Sequence, residues 1–205
     1  MKKIAFVFFA LISISSVMNA QDIQLPTPQT TGGMTLNEAL MNRQTAREFA
    51  KGELTHQQLS DLLWAANGVN RKDGKRTAPS ARNCQEIDVY VVLQDAAYLY
   101  DANANTLVFQ KKGDFRKDFV MQPFAATAPV LLVFVANYDK MNMDDSAKEF
   151  YGATDAGYVS QNVYLYSAAN QMNTVVLGSI QRDKIKEVFG FNGKAILGQP
   201  VGLRK

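Results

Sequence analysis

Arg43-Gln44-Thr45-Ala46-Arg47-Glu48-Phe49 places two guanidinium groups and a hydroxyl on alternate positions where a short helix should run out. In an extended backbone, residues 43, 45 and 47 point to one side. Arginine forks match phosphate oxygens bidentately, and threonine adds one further donor. The stretch therefore suits a phosphate, although paired arginines at a helix end more often form a solvated face.

Two further segments share this character. Arg76-Thr77-Ala78-Pro79-Ser80-Ala81-Arg82-Asn83-Cys84-Gln85 directly precedes the β-branched run Ile87–Leu93. Its small residues and proline allow close backbone approach to a flat ligand, and Asn83 offers donor and acceptor to a heteroaromatic edge. Gln171-Met172-Asn173-Thr174-Val175-Val176-Leu177-Gly178-Ser179 follows a long helical pattern and suits an apolar lid with exposed backbone N–H groups.

Between these segments the pattern mixes helices and strands. Thr35-Leu36-Asn37-Glu38 and Thr55-His56-Gln57-Gln58 have capping-box spacing and predict helices over about 36–43 and from 56 to a stop at Gly68. Ile87–Leu93 reads as a buried strand, and 98–109 as a hairpin turning at 101–105. Phe115–Ala126 reads as one helix, ending before Pro129. Val130–Val135, the most apolar run after the first twenty residues, reads as a central strand. Asp144–Met172 reads as helical with a break near Gly152 or Gly157, burying Tyr158, Val159, Asn162, Val163, Leu165, Tyr166 and Ala169. Lys184–Phe189 is a short helix stopped by Gly190, and Ala195–Gly202 a last strand. The lack of regular βαβ alternation favours an α+β class.

Composition narrows the chemistry. A formal charge of +3 over 205 residues is too small and dispersed for a nucleic-acid surface. A single cysteine excludes an intramolecular disulfide or a cysteine metal cluster, and a single histidine argues against a histidine zinc site. His56, in the first turn of a capped helix, reads as solvent-facing, Cys84 as a small packing residue, and Asp144-Asp145 as a helix cap. Lys111-Lys112 and Arg116-Lys117 read as a solvated face, and Tyr151, Tyr158, Tyr164 and Tyr166 as core or dimer interface. Met1-Lys2-Lys3, an apolar run from Ile4 to Ile14 and the small Ala20 make residues 1–20 a secretory signal peptide. That run is too short for stable membrane insertion. Its loss lowers the charge from +3 to +1 by removing Lys2 and Lys3. Residues 21–33 read as an extended arm lying over the protein or a partner. The expected destination is the periplasm or the exterior.

In order and spacing the three segments resemble the nitroreductase-like flavoprotein family. The family's Arg-x-Ser-x-Arg/Lys-x-Phe motif stands here as Arg43 to Phe49, with Thr45 for serine. Its Pro-Ser-x-x-Asn-x-Gln motif stands as Pro79 to Gln85, and its Ala-Pro before an apolar strand as Ala128-Pro129-Val130. Gln161-Asn162 fits the long helix, while Met172-Asn173 replaces the usual Gly-Leu or Leu-Gly pair. The likeness runs from about Thr35 to the C-terminus.

The resemblance implies a nitroreductase-like fold over 34–205, with a central, mainly antiparallel sheet flanked by helices. It implies FMN held non-covalently at a homodimer interface, each site drawing on both chains. Arg43, Thr45 and Arg47 would hold the phosphate and ribityl end; Pro79, Ser80 and Asn83 would line the isoalloxazine edge; Val176, Leu177 and Gly178 would cover its other side. A C-terminal basic residue, Arg204 or Lys205, would reach the phosphate. No catalytic side chain is needed, because the flavin N5 carries the chemistry. The implied activity is FMN-dependent oxidoreduction of a small organic substrate such as a nitroaromatic or quinone. A non-enzymatic flavin- or ligand-binding protein and an azoline-type dehydrogenase remain the alternatives. The reductant, NAD(P)H or another, stays open, since an exported enzyme meets little NAD(P)H.

Overall fold

The computed structural model describes residues 21–205, so the signal-peptide expectation for residues 1–20 lies outside the described residues. Seven strands form one antiparallel sheet in the order β1-β4-β3-β2-β5-β7-β6. They are β1 (Ile23–Gln24), β2 (Ile87–Val92), β3 (Ala96–Asp101), β4 (Thr106–Lys112), β5 (Val130–Asn137), β6 (Met172–Thr174) and β7 (Gly193–Leu203). The helices are α1 (Leu36–Asn42), α2 (His56–Asn67), α3 (Arg116–Phe119), α4 (Asp145–Ala169) and α5 (Arg182–Phe189).

The apolar run at β5 is buried on both faces because it feeds two cores. Val130, Leu132, Phe134 and Ala136 point into one with Leu59, Leu62 and Leu63 of α2 and Ala156, Val159 and Val163 of α4. Leu131, Val133 and Val135 point into the other with Phe119 of α3 and Ile185 of α5. The two-residue period of the strand thus builds three layers, with α2 and α4 below the sheet and α3 and α5 above. Both predicted capping boxes close, at Thr35–Glu38 and Thr55–Gln58. Asp144 caps α4 by accepting from the Ala147 N–H. Gly190 ends α5 in the left-handed region at φ 67°.

Two expectations need correction. The single helix expected over 115–126 is instead the one-turn α3 followed by a 3-10 segment, Pro123–Thr127. Pro123 has no N–H and holds Gln122 extended, while Val120 bridges to Ile180. Helix α4 also runs unbroken for 25 residues through both glycines. Its buried stripe is Gly152, Asp155, Ala156, Val159, Ser160, Val163, Tyr164, Ser167 and Ala168. That stripe follows the helical period more closely than the expected face, and Tyr158 is left 46% exposed. Gly152 is a packing residue, since a β-carbon there would lie 2.7 Å from the Ala136 Cβ.

The segment after Ala20 lies over this chain's own core. β1 pairs with the edge strand β4, Leu25 is buried, and the Gln29 N–H donates to Asp61 Oδ1 at 2.7 Å. Pro26 O accepts from Ser60 Oγ and Asn105 Nδ2. An edge that would otherwise invite pairing with another chain is thereby covered.

Gly152→Val should lower stability by about 1–3 kcal/mol through overpacking against Ala136. The readout is the denaturant midpoint, and an unchanged midpoint would mean that α4 does not rest on β5 at this point.

Candidate functional site

The first motif lies outside the regular strands and runs past the end of the sheet. Arg43 caps α1 in the β region, after which the chain runs beside β6 and the end of β7. The Ala46 N–H donates to Thr174 O at 3.0 Å and the Ala50 N–H to Leu203 O at 3.0 Å. Asn173 Nδ2 donates to Glu48 O at 2.8 Å, and Phe49 packs on Gly202.

Tyr164 ties this stretch to the third segment. Its hydroxyl lies 3.1 Å from Thr45 Oγ and accepts the Val176 N–H at 3.0 Å. The Arg43 guanidinium stands 5.4 Å above its ring, whereas Arg47 turns over Phe124 at 6.0 Å. Among the described residues, neither arginine pairs with a carboxylate. Leu177 is buried in the upper core, and its N–H and C=O both bond Gly198. Val176 and Gly178 flank it nearer the surface, and Gly178 O accepts from Arg182.

At the C-terminus the two basic candidates separate. Lys205 Nζ pairs with Glu48 at 3.3 Å. Arg204 makes only a neutral contact, donating to Gln171 Oε1 at 3.3 Å, which leaves its charge available beside the first motif.

The second motif stands elsewhere. Pro79 and Asn83 are exposed, and Ser80 Oγ accepts the Gln85 N–H at 2.9 Å. Arg82, Asn83 and Gln85 have φ of 52°, 55° and 50°, a conformation that is uncommon outside glycine. Hydrogen bonds hold this turn at its base: Arg76 Nε donates to Gln85 Oε1 and Arg76 Nη1 to Asn67 O, while Gln85 Nε2 donates to Gly74 O. The Ala81 N–H donates to Asp155 Oδ2 of α4 at 2.8 Å. Burial, reinforced by Glu86, pushes the Cys84 thiol up despite nearby Arg82, which suits a packing residue.

Asp155 and Tyr164 are nine positions apart on α4, hence about 13 Å along its axis and about half a turn around it. One chain therefore brings the first and third segments together and sets the second apart. Reading the sequence misses Tyr164 as the link and Asp155 as the anchor. The available signal was an acidic residue on the buried stripe of α4, where a charge requires a partner.

A cavity of about 550 Å³ opens immediately after the first motif, between Ala50, His56, Leu93, Ala126 and Pro129, and no residue of the three segments lines it. Its charged lining residues are Lys51, Glu53, Asp95 and Arg116, and Arg116 is bound to Asp114 at 2.7 Å. Its walls thus offer no net positive charge for a phosphate.

Comparison with known proteins shows which family the chain resembles. Residues 40–203 match the profile of the Nitroreductase family. A candidate nitroreductase of Methanocaldococcus jannaschii is 29% identical over 195 residues, covering 90% of this chain and 97% of that protein. The crystal structure of a candidate nitroreductase from Ralstonia eutropha JMP134 superposes with a TM-score of 0.85 at 39% identity, covering 91% of this chain and 90% of the other. The NADPH:FMN oxidoreductase of Vibrio harveyi, solved with NAD+, shares the fold at a TM-score of 0.61 and 18% identity, covering 83% of this chain and 69% of the other. The chain belongs to the nitroreductase family.

Proposed function

We propose that this protein is an exported FMN-dependent oxidoreductase that passes electrons to or from a small organic substrate, such as a nitroaromatic or a quinone, in a homodimer. The observation that carries the reading is the Arg43–Thr45–Arg47 stretch. Its guanidinium groups are free of carboxylates, and Tyr164 ties it to Val176. That donor set fits a phosphate monoester, and Arg204, whose guanidinium has no carboxylate partner among the described residues, is the candidate for a third cation.

When bound, FMN supplies the hydride-accepting and hydride-donating chemistry at N5. The chain's own residues bind and orient. Arg43 and Arg47 would fork onto the phosphate, and Thr45 would donate a further hydrogen bond. The Ser80 hydroxyl proton is free, because Ser80 Oγ is only an acceptor within the loop. Ser80 and Asn83 can therefore address the ring edge, with Pro79 beside them. Val176 and Gly178 would lie against the other side, on a backbone that the Leu177–Gly198 hydrogen bonds fix to β7.

The half-turn between Asp155 and Tyr164 supports a site assembled from two chains, the second motif coming from the partner. Leu36, Leu40 and Met41 on α1 and Phe150, Tyr151 and Tyr158 on α4 are exposed by 38% or more. They supply apolar surface for such an interface. Export rests on the composition of residues 1–20.

Three outcomes are expected. Arg43→Ala combined with Arg47→Ala should weaken FMN binding by at least about a hundredfold, through loss of two charge-assisted contacts. Flavin fluorescence quenching reads this directly, and unchanged affinity would place the phosphate elsewhere. Tyr164→Phe should weaken FMN about five- to thirtyfold by releasing Thr45 and the Val176 N–H, with an unaltered circular-dichroism spectrum. Protein recovered from an exporting host should begin at Gln21 on N-terminal sequencing; an intact Met1 would remove the case for export.

A further inference from the structure

Glu86, between the second motif and β2, is fully buried. No described residue donates to either of its carboxyl oxygens. Only its backbone is partnered, accepting the Asn137 N–H at 3.0 Å. The Asp155 carboxyl faces it within hydrogen-bonding reach, and Asp155 Oδ2 also accepts the Ala81 N–H. Two carboxyl groups thus meet beneath the left-handed turn formed by Arg82, Asn83 and Gln85.

Among the described residues no cation pairs with either carboxyl, and the charge of Lys140 acts on Glu86 only through space. Lys140, from the segment after β5, binds Asp88 at 2.6 Å and is itself partly exposed. From the turn come the Cys84 thiol and the exposed Arg82. Two bare carboxylates in contact in a buried site would repel, whereas one proton between them makes a donor and an acceptor. With that proton, Asp155 can hold Glu86 on one side and the Ala81 N–H on the other.

We propose that Glu86 and Asp155 share one proton, and that this proton is the positioning element that holds the Pro79–Gln85 turn in the shape that presents Ser80 and Asn83 to the flavin. The inference concerns the same site as the FMN reading and rests on it for the ligand.

The charge state agrees. Burial raises the Glu86 carboxyl to about 7; Asp155 adds to the rise and the charge of Lys140 works against it. A folded-state value above the ordinary carboxyl value means that the proton is held through the acid range. The stabilisation is lost as pH rises through about 7.

The test follows FMN affinity and the Glu86 carboxyl over the same pH range. In the intact protein, the FMN dissociation constant should rise at least about threefold between about pH 6 and about pH 8.5. Glu86→Gln, whose amide can donate to Asp155 at every pH, should keep the low-pH affinity and lose this dependence. In the FMN-free protein, ¹³C NMR should find the Glu86 carboxyl titrating near neutrality. Asp155→Asn should bring that midpoint down by about one unit or more, and Ala81 amide exchange should quicken as the proton leaves. A Glu86 midpoint below about 5 in the unmodified protein would overturn the proposal, as would full pH dependence in Glu86→Gln. The carboxyl titration needs no flavin, so it separates failure of this proposal from failure of the FMN reading.

Discussion

Helix α4 lies so close to β5 that a side chain at Gly152 would strike Ala136, and the site's elements take their positions from that contact. All three segments that carry the family resemblance meet this helix. The first and third segments meet it at Tyr164, and the second meets it at Asp155. β5 is in turn held by the alternating side chains that fill the cores above and below the sheet. The helix is therefore a fixed post, and the loops inherit its precision. Loops held by single hydrogen bonds to a rigid element can carry a binding site without having cores of their own.

The same arrangement bears on the proposed two-chain site. Two anchors half a turn apart on one helix hold their segments in different directions. The apolar residues of α1 and α4 left on the surface give a physical reason for pairing. The covered edge at β1 and β4 gives a reason why pairing should not occur through the sheet there.

Much of this was legible in the residues. Thr35, Thr55 and Asp144 announce helix starts because capping is a local act of hydrogen bonding. β5 announces itself because burial on both faces leaves no polar position from Val130 to Ala136. The three segments that carry the family resemblance were recognisable by residue type and order. What escaped depends on tertiary contact. Pro123 marked a break, but the surrounding apolar residues masked it until Val120 was seen bridging Ile180. Gly152 read as a helix breaker because its neighbour Ala136 is sixteen residues away in sequence. Tyr164 was one tyrosine among four, and nothing local distinguished the one whose hydroxyl meets Thr45. Glu86 carries no local signal in the sequence; only the fold puts Asp155 against it.

The central claim is that two copies of this chain complete a flavin site that one copy cannot. Sedimentation velocity of the FMN-reconstituted protein, followed at both the protein and the flavin absorption bands, tests it most directly. The account predicts a single dimeric boundary carrying two flavins, and flavin lost from any monomer that dilution produces. A monomer that retains flavin, or a dimer that sediments without it, would contradict the account.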